Sequence, residues 1–181
     1  MLKLHPRTPA HLFVDHTAYF VSGAIYKRRP LLAQPKIKHH LLSLVEETFE
    51  LYAWQLHHWV ILDNHYHILG QSRKGHDLSN IFRQIHSKAA IFIREKTNCE
   101  KPVWWNYWDY CPRDEADYLA RLNYLLNNPL KHGYVTNLQD YAYSSFHQLF
   151  KEIGREKLEQ QFRNYPGYKT LVLREAYNDD F

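Results

Sequence analysis

Two histidines that are one residue apart could bind a metal ion together. They are His65 and His67, and they lie in a mostly apolar stretch, residues 59–70. On a β-strand, successive side chains point to opposite faces, so both imidazoles would face one way and Tyr66 the other. Two imidazoles on one face of a strand supply half of the ligands of a divalent-metal site. The spacing alone still favours a half-buried strand over a ligand pair.

A tyrosine and an asparagine further along the chain suggest phosphoryl transfer. Tyr124 and Asn128 are four residues apart, so on a helix they share a face. A phenol can attack phosphorus once a metal ion or a base activates it, and an amide oxygen can bind a metal ion. The alternatives are a core tyrosine and an amide that satisfies carbonyls at a helix end. Tyr118 and Tyr134 are rival nucleophiles, but neither has Asn or Gln four residues later.

The hydrophobic pattern predicts the elements that would position these residues. We expect strands at 19–26, 51–62, 65–71 and 103–110, helices at 35–50, 77–96 and 114–128, and one or two short helices within 143–159. Asp114 can cap the helix that carries Tyr124, and Pro129 should end that helix at Asn128. This order predicts an α+β fold of the ferredoxin-like, split βαβ type. An antiparallel sheet would carry helices on one face, with an added tyrosine-bearing helix and short C-terminal helices.

Composition restricts the class of protein. The chain has 181 residues, 45% of them hydrophobic, and a formal net charge of +4, which favours one domain and is compatible with a nucleic-acid partner. Two cysteines, Cys99 and Cys111, are too few for a secreted disulfide framework, so both should be reduced thiols. The N-terminus has no signal-peptide pattern, and no apolar run reaches the length of a spanning helix. We therefore expect a cytoplasmic protein that does not bind a membrane.

Two basic segments are candidate contacts to DNA phosphates. The first contains Lys27, Arg28 and Arg29, and the second contains Arg73 and Lys74. Positive loops beside a phosphoryl-transfer site would hold the DNA backbone, although both could be solvated loops.

Several neighbouring residue pairs have less specific interpretations. Aromatic pairs at 104–105 and 107–108 lie on a predicted strand, so each pair should divide between the core and a face that could stack on bases. Histidine pairs at 39–40 and 57–58 are expected at the surface or in packing. On a strand, adjacent histidines point to opposite faces and cannot chelate one ion together.

Residues 10–150 resemble the REP-associated tyrosine transposases. These are single-tyrosine HUH transposases, related to the transposases of small bacterial insertion sequences. The matching stretches are 19–23 (YFVSG), 59–67 (WVILDNHYH), 124–135 (YLLNNPLKHGYV) and 143–145 (YSS). The resemblance implies a ferredoxin-like fold, a divalent metal ion (Mg²⁺ or Mn²⁺), and cleavage and rejoining of single-stranded DNA beside hairpins through a transient 5′-phosphotyrosine.

The resemblance also implies roles for single residues. His65 and His67 match the metal-binding histidines, and Tyr124 matches the nucleophile. Asn128 stands where relatives carry a polar metal ligand, often Gln. Asp63 is a departure, because Pro is usual there, and it places a carboxylate where it could support the ligands from a second layer around the metal.

We therefore expect residues 1–150 to form an HUH transposase-like catalytic domain. Residues 151–181 should form a helical extension or tail that is not an independent domain. A non-catalytic hairpin-binding protein, domesticated as a repressor or recruiter, and a hydrolytic metal nuclease are the competing functions. Insertion-sequence relatives are dimers, whereas REP-associated relatives are thought to act as monomers, so the resemblance favours a monomer.

Overall fold

A computed structural model describes residue 11 and residues 13–173. Residues 1–10 of the predicted catalytic domain and residues 174–181 of the predicted C-terminal extension lie outside the described part. The main elements are β1 (Ala18–Ile25), α1 (Pro35–Leu51), β2 (Gln55–Ile61), β3 (His65–Gln71), α2 (Leu78–Thr97), β4 (Trp104–Tyr110), α3 (Glu115–Lys131) and α4 (Phe146–Asn164). Within the described residues, no helix has both the length and the apolar character needed to cross a lipid bilayer.

The four strands form one antiparallel sheet in the order β2-β3-β1-β4. The predicted ferredoxin-like fold is confirmed, because two βαβ units interleave so that β1 and β3 pair at the centre. In this pairing Ser22 lies opposite His67, and Ala24 lies opposite His65. The histidines are therefore on a central strand, which is held on both edges.

Alternation along the strands divides the interior into two cores. Tyr66 and Ile68 belong to the core beneath α1 and α2, whereas Leu69 and Phe20 belong to the core beneath α3 and α4. The ring of His67 packs against Tyr124 on that second side. The predicted division of β3 between two faces is confirmed, and it places the histidines between the sheet and α3.

Helix α3 is longer than the sequence predicts. It continues through Pro129 to Lys131, so the expected end at Asn128 is wrong. Proline fits the helical φ angle, although it has no N–H to bond to the preceding turn. The backbone N–H of His132 still donates to the carbonyl of Asn128 at 3.0 Å, and the Asn128 amide group donates to the carbonyl of Tyr124 at 2.8 Å. These two bonds hold the last turns together.

One other boundary differs from the sequence pattern, whereas the break within α4 agrees with it. The predicted strand at 51–62 begins only at Gln55, because α1 continues to Leu51 and Ala53 then turns with a φ of 54°. Within α4, Gly154 has a φ of 79° and interrupts the helix, which agrees with the expected one or two short helices. Leu149 and Leu158, on either side of Gly154, pack into the same core. The chain beyond residue 150 therefore packs on the rest of the fold as far as it is described.

Candidate active site

His67 is fixed deep beneath the surface. It is 1% exposed, and its ring stacks on Phe20 with centroids 5.4 Å apart. Its Nδ1 lies 2.7 Å from the hydroxyl of Ser22, the residue opposite it on β1. The serine oxygen can accept a bond from Nδ1–H, which leaves the lone pair of His67 on Nε2, as ligation through that nitrogen requires.

Asn64 fixes the tautomer of His65. The Asn64 amide nitrogen donates to the carbonyl of Arg28 at 3.2 Å, so the amide oxygen is the atom that faces His65. That oxygen lies 2.7 Å from His65 Nδ1. Because an amide oxygen only accepts, neutral His65 carries its proton on Nδ1 and its lone pair on Nε2.

Asn128 approaches His65 from α3 with a lone pair. It is fully buried, and its amide nitrogen is turned toward the Tyr124 carbonyl, so its oxygen points at His65 Nε2 at 3.4 Å. In the neutral state two acceptors face each other, an arrangement that a proton or a cation between them stabilises. The donor set of His65, His67 and Asn128 therefore fits a divalent metal ion.

Oxygen ligands other than carboxylates would have to complete such a site. Among the described residues, no cluster of three or more histidine, cysteine, aspartate or glutamate side chains is arranged to hold a metal ion. The remaining positions are left to the amide oxygen, water and a substrate phosphate.

Tyr124 lies beside the histidine pair. Its ring centroid is 5.5 Å from that of His67 and 6.3 Å from that of Phe20, and the residue is 7% exposed. Lys131 Nζ lies 3.1 Å from the phenolic oxygen and 4.5 Å from the ring centroid. The nucleophile candidate therefore shares a pocket with the two histidines.

The two rival tyrosines are engaged elsewhere. The hydroxyl of Tyr118 lies 3.2 Å from His57 Nδ1. The hydroxyl of Tyr134 accepts the backbone N–H of Asp63 at 3.3 Å, although Tyr134 does border the cavity.

A cavity of about 300 Å³ opens over these groups. It is lined by Ser22, Gly23, Ala24, Arg28, Asn64, His65, His67, Tyr124, Lys131, His132 and Tyr134. None of these lining residues, all within the described part of the chain, is acidic, whereas Arg28 and Lys131 are cationic. The cavity therefore suits an anion such as a DNA phosphate.

The histidines around the cavity are held in their neutral forms. Burial, followed by the proximity of His132, lowers the pKa of His65 to about 3. Burial, followed by the proximity of His65, holds the pKa of His67 well below its usual value. Burial and the charge of Lys131 also lower the pKa of His132. Neutral imidazoles are the form that binds metal ions.

Asp63 does not face the cavity. Its carboxylate accepts a bond from Lys38 Nζ at 2.7 Å, and it is absent from the cavity lining that the structure describes. Support of the metal ligands by this carboxylate stays a prediction. Asp63 instead anchors the turn that leads into β3.

The three residues of the first basic segment have different surroundings. Arg28 borders the cavity, while Arg29 donates to the carbonyls of Tyr26, Glu100 and Pro102 and so braces the loops. Lys27 is exposed beside the Tyr26 ring.

Arg73 and Lys74 are exposed beyond the far end of β3, about 20 Å along the strand from His65 at 3.3 Å per residue. The structure thus brings Arg28 to the site and leaves the second basic segment distant from it.

The aromatic residues at 104 and 105 have different partners, and Trp108 is buried. Trp104 stacks on His86 at 4.1 Å within the core under α2, and Tyr107 packs nearby. Trp105 stacks on Tyr26 at 5.6 Å. Base stacking by a β4 aromatic stays a prediction.

The two histidines at 39 and 40 pack against different aromatic rings. His39 packs against Tyr143 and His40 against Phe92, with centroids 5.4 and 4.0 Å apart. These contacts agree with the expected packing role.

Four polar lining residues have no role predicted from the sequence. Ser22 follows from pairing β1 with β3, and Asn64 follows from its position next to His65. Lys131 and His132 depend on the continuation of α3 beyond Pro129. A helix of that length places Lys131 seven residues, or nearly two full turns, from Tyr124, and this was the available signal.

Comparison with known proteins agrees with this geometry. Residues 14–112, more than half of the chain, match the family described as IS200-like transposases. A REP-associated tyrosine transposase of Escherichia coli is 29% identical over 146 residues, covering 74% of this chain and 83% of the relative. A Haemophilus influenzae protein assigned to the same group is 27% identical over 150 residues, covering 73% and 85% respectively.

A solved structure shares the fold. It is a REP-associated tyrosine transposase bound to a REP hairpin, with a TM-score of 0.65 and 23% identity, and the match covers 77% of this chain and 82% of that one. The resemblance read from the sequence is confirmed, as is the expectation of an enzyme: the chain belongs to the family of IS200-like transposases, whose members cleave DNA.

Proposed function

We propose that this chain is a metal-dependent, single-stranded DNA endonuclease and strand transferase. It cuts and rejoins DNA beside hairpins through a 5′-phosphotyrosine intermediate. The observation that carries the proposal is the convergence of Tyr124, His65 and His67 on one cavity without lining carboxylates, with the buried Asn128 oxygen 3.4 Å from His65 Nε2. A metal-ligand set beside a phenol, in an electropositive pocket, suits covalent phosphoryl transfer.

His65, His67 and Asn128 would hold the divalent ion, Mg²⁺ or Mn²⁺. Transposases of this family are generally metal-dependent. When bound, the ion neutralises charge that develops on the phosphate oxygens. Asn64 keeps His65 in the ligating tautomer, Ser22 is compatible with the same tautomer of His67, and Arg28 contacts the DNA backbone at the mouth of the cavity.

The cleavage step transfers the phosphoryl group from a DNA oxygen to Tyr124. The phenolic oxygen loses its proton to solvent and bonds to phosphorus, while the bond from phosphorus to the 3′ oxygen breaks. The departing oxygen takes a proton from solvent and becomes a 3′-hydroxyl. Attack by this or another 3′-hydroxyl reverses the step, so rejoining requires no nucleotide cofactor.

The proposed partner is hairpin DNA, and the proposed active unit is a monomer. The DNA partner is supported by similarity to the transposase solved with a REP hairpin, and by the cationic residues at the cavity. The monomer is supported by the 5.5 Å between the His67 and Tyr124 rings within one chain. Mixing Tyr124→Phe with His65→Ala protein tests it, because recovered cleavage would require assembly between subunits.

A single assay separates the candidate functions. Protein is incubated with a hairpin carrying a single-stranded flank, labelled on the strand downstream of the cut, with Mn²⁺ or with EDTA. We expect both cleavage and a denaturation-resistant protein–DNA band, and both should require the metal. Cleavage without an adduct would instead indicate a hydrolytic nuclease, and a mobility shift without cleavage would indicate a binding protein.

Histidine variants test the metal site in the same assay. His65→Ala and His67→Ala should abolish cleavage while leaving much of the DNA affinity, because phosphate contacts elsewhere supply binding. His76→Ala is the matched control, since this histidine is exposed at the other end of β3. Cleavage by either site variant at the wild-type rate would contradict the assignment, as would equal cutting of plain duplex DNA.

A further inference from the structure

We propose that Lys131 is a catalytic residue whose ammonium group stabilises the Tyr124 oxygen, first as the attacking atom and later as the leaving atom. This role rests on the proposed function, because it assigns a partner to the same nucleophile. It is a role for this chain's own residue that does not depend on which metal ion is bound.

The contact is direct and lies on the reacting atom. Lys131 Nζ is 3.1 Å from the phenolic oxygen of Tyr124. The two residues belong to one helix and are seven positions apart, so they lie close to the same line along α3. The contact exists because α3 continues past Pro129; a helix that ended at Asn128 would not place Lys131 there.

The direction of the hydrogen bond follows from chemistry. An ammonium group only donates, so the phenolic oxygen must accept. The bond therefore strengthens as negative charge builds on that oxygen, and it weakens once the oxygen is esterified. An interaction of this kind favours the transition state over both ground states, which is the condition for catalysis.

The burial of Tyr124 affects how strongly water screens its interaction with the Lys131 ammonium group. Tyr124 is 7% exposed and faces Phe20 and His67, whereas the Lys131 residue is itself exposed, so water screens the interaction from the lysine side only. The ammonium group also lies 4.5 Å from the ring centroid, which holds the lysine side chain against the phenol.

The proton balance leaves Lys131 unchanged. The phenol proton goes to solvent, the bond from the Tyr124 oxygen to phosphorus forms, and the bond from phosphorus to the 3′ oxygen breaks. The ammonium keeps its three protons throughout. In rejoining, a 3′-hydroxyl loses its proton, displaces the tyrosine oxygen, and that oxygen departs against the same ammonium before taking a proton from solvent.

Two other roles for Lys131 predict different behaviour. A lysine that only binds the DNA backbone would change the Kd of the DNA and leave the rate at saturation intact. A lysine that protonates the departing 3′ oxygen would become dispensable when that oxygen is replaced by sulfur, because a thiolate leaves without a proton.

The experiment compares single-turnover adduct formation at saturating DNA. The variants are Lys131→Met and Lys131→Arg, and Lys169→Met is the matched control. Lys169 also lies beside a tyrosine ring, 5.9 Å from the centroid of Tyr168, and its loss removes the same net charge. A second substrate carries sulfur in place of the 3′ oxygen at the cut.

We expect Lys131→Met to slow adduct formation and rejoining by the same factor, about 10²-fold, as for the loss of one donor to a developing oxyanion. The equilibrium fraction of adduct should stay unchanged, the Kd should change no more than in Lys169→Met, and the sulfur substrate should not restore the rate. Lys131→Arg, which keeps a charged donor, should recover most of the activity.

Three outcomes would overturn the role of Lys131 alone. They are wild-type rates in Lys131→Met, a loss confined to Kd, and recovery on the sulfur substrate. Absence of any adduct with the wild-type chain would overturn the proposed function and this role together.

Discussion

Lys38 is a buried charge, so its removal should destabilise the fold and the turn before β3. It is 4% exposed, and its ammonium group donates to Asp63 at 2.7 Å and to the hydroxyl of Tyr141 at 3.1 Å. Three tyrosine rings surround it with centroids 4.7 to 5.9 Å away, namely Tyr134, Tyr141 and Tyr143. The cluster joins α1 to the turn that presents His65.

The size of the effect follows from the burial of the two partners. Breaking a fully buried ion pair by removing one charge costs about 3–5 kcal/mol. The Asp63 side chain is 29% exposed, so water compensates part of its lost partner. Lys38→Met keeps most of the apolar stem, and we expect the free energy of unfolding to fall by about 2–3 kcal/mol. For a chain of this length that corresponds to a Tm lower by roughly 4–12 °C.

Urea unfolding measures this loss, and two variants control it. Lys36→Met removes an exposed lysine from the same helix and should cost less than about 0.5 kcal/mol. Lys38→Met combined with Asp63→Asn removes the uncompensated charge and should recover part of the stability. The reasoning would be refuted if Lys38→Met unfolded like Lys36→Met, or if the double variant were no more stable than Lys38→Met alone.

Three further perturbations test other contacts. A Cβ on Gly23 would lie 2.4 Å from the ring of Tyr66, so Gly23→Ala should cost about 1–3 kcal/mol in urea unfolding. Asn64→Ala removes the acceptor that orients His65, and Mn²⁺ affinity measured by calorimetry should fall roughly 10–100-fold. Burial lowers the pKa of His86 to about 3, below the value near 6.5 of the unfolded chain. The unfolded chain therefore takes up the proton first, and stability should fall from pH 6.5 toward pH 3 by up to about 1.4 kcal/mol per pH unit, less steeply in His86→Gln.

Local patterns in the sequence were sufficient to predict the sheet and the common orientation of the two histidines. Alternation along β3 places His65 and His67 on the opposite face from Tyr66, independently of the contacts that other elements make. The run of apolar and turn residues likewise predicted the limits of β3, because strand ends there coincide with polar breaks.

Long-range contacts that the sequence pattern does not predict hold Asp63 and Arg29 in place. Asp63 was expected near the metal ligands, but its partner Lys38 lies 25 positions earlier, on α1. Arg29 was expected to bind DNA, yet it donates to carbonyls more than 70 positions later in the chain. No local pattern encodes such pairs, since they depend on how separate elements pack. The predicted end of α3 at Asn128 was wrong for a different reason. A proline near the last turn of a helix removes one hydrogen bond without ending the helix.

Covalent attachment of DNA to Tyr124 is the most direct test of the proposed chemistry. Wild-type protein and Tyr124→Phe are incubated with the hairpin substrate and Mn²⁺, digested with protease, and the DNA-linked peptide is sequenced by mass spectrometry. We expect the 5′ phosphate on Tyr124, and no adduct or cleavage by Tyr124→Phe, which should keep its DNA affinity and its Tm near wild type. Attachment at another residue, or undiminished cleavage by Tyr124→Phe, would contradict the assignment of this tyrosine as the nucleophile.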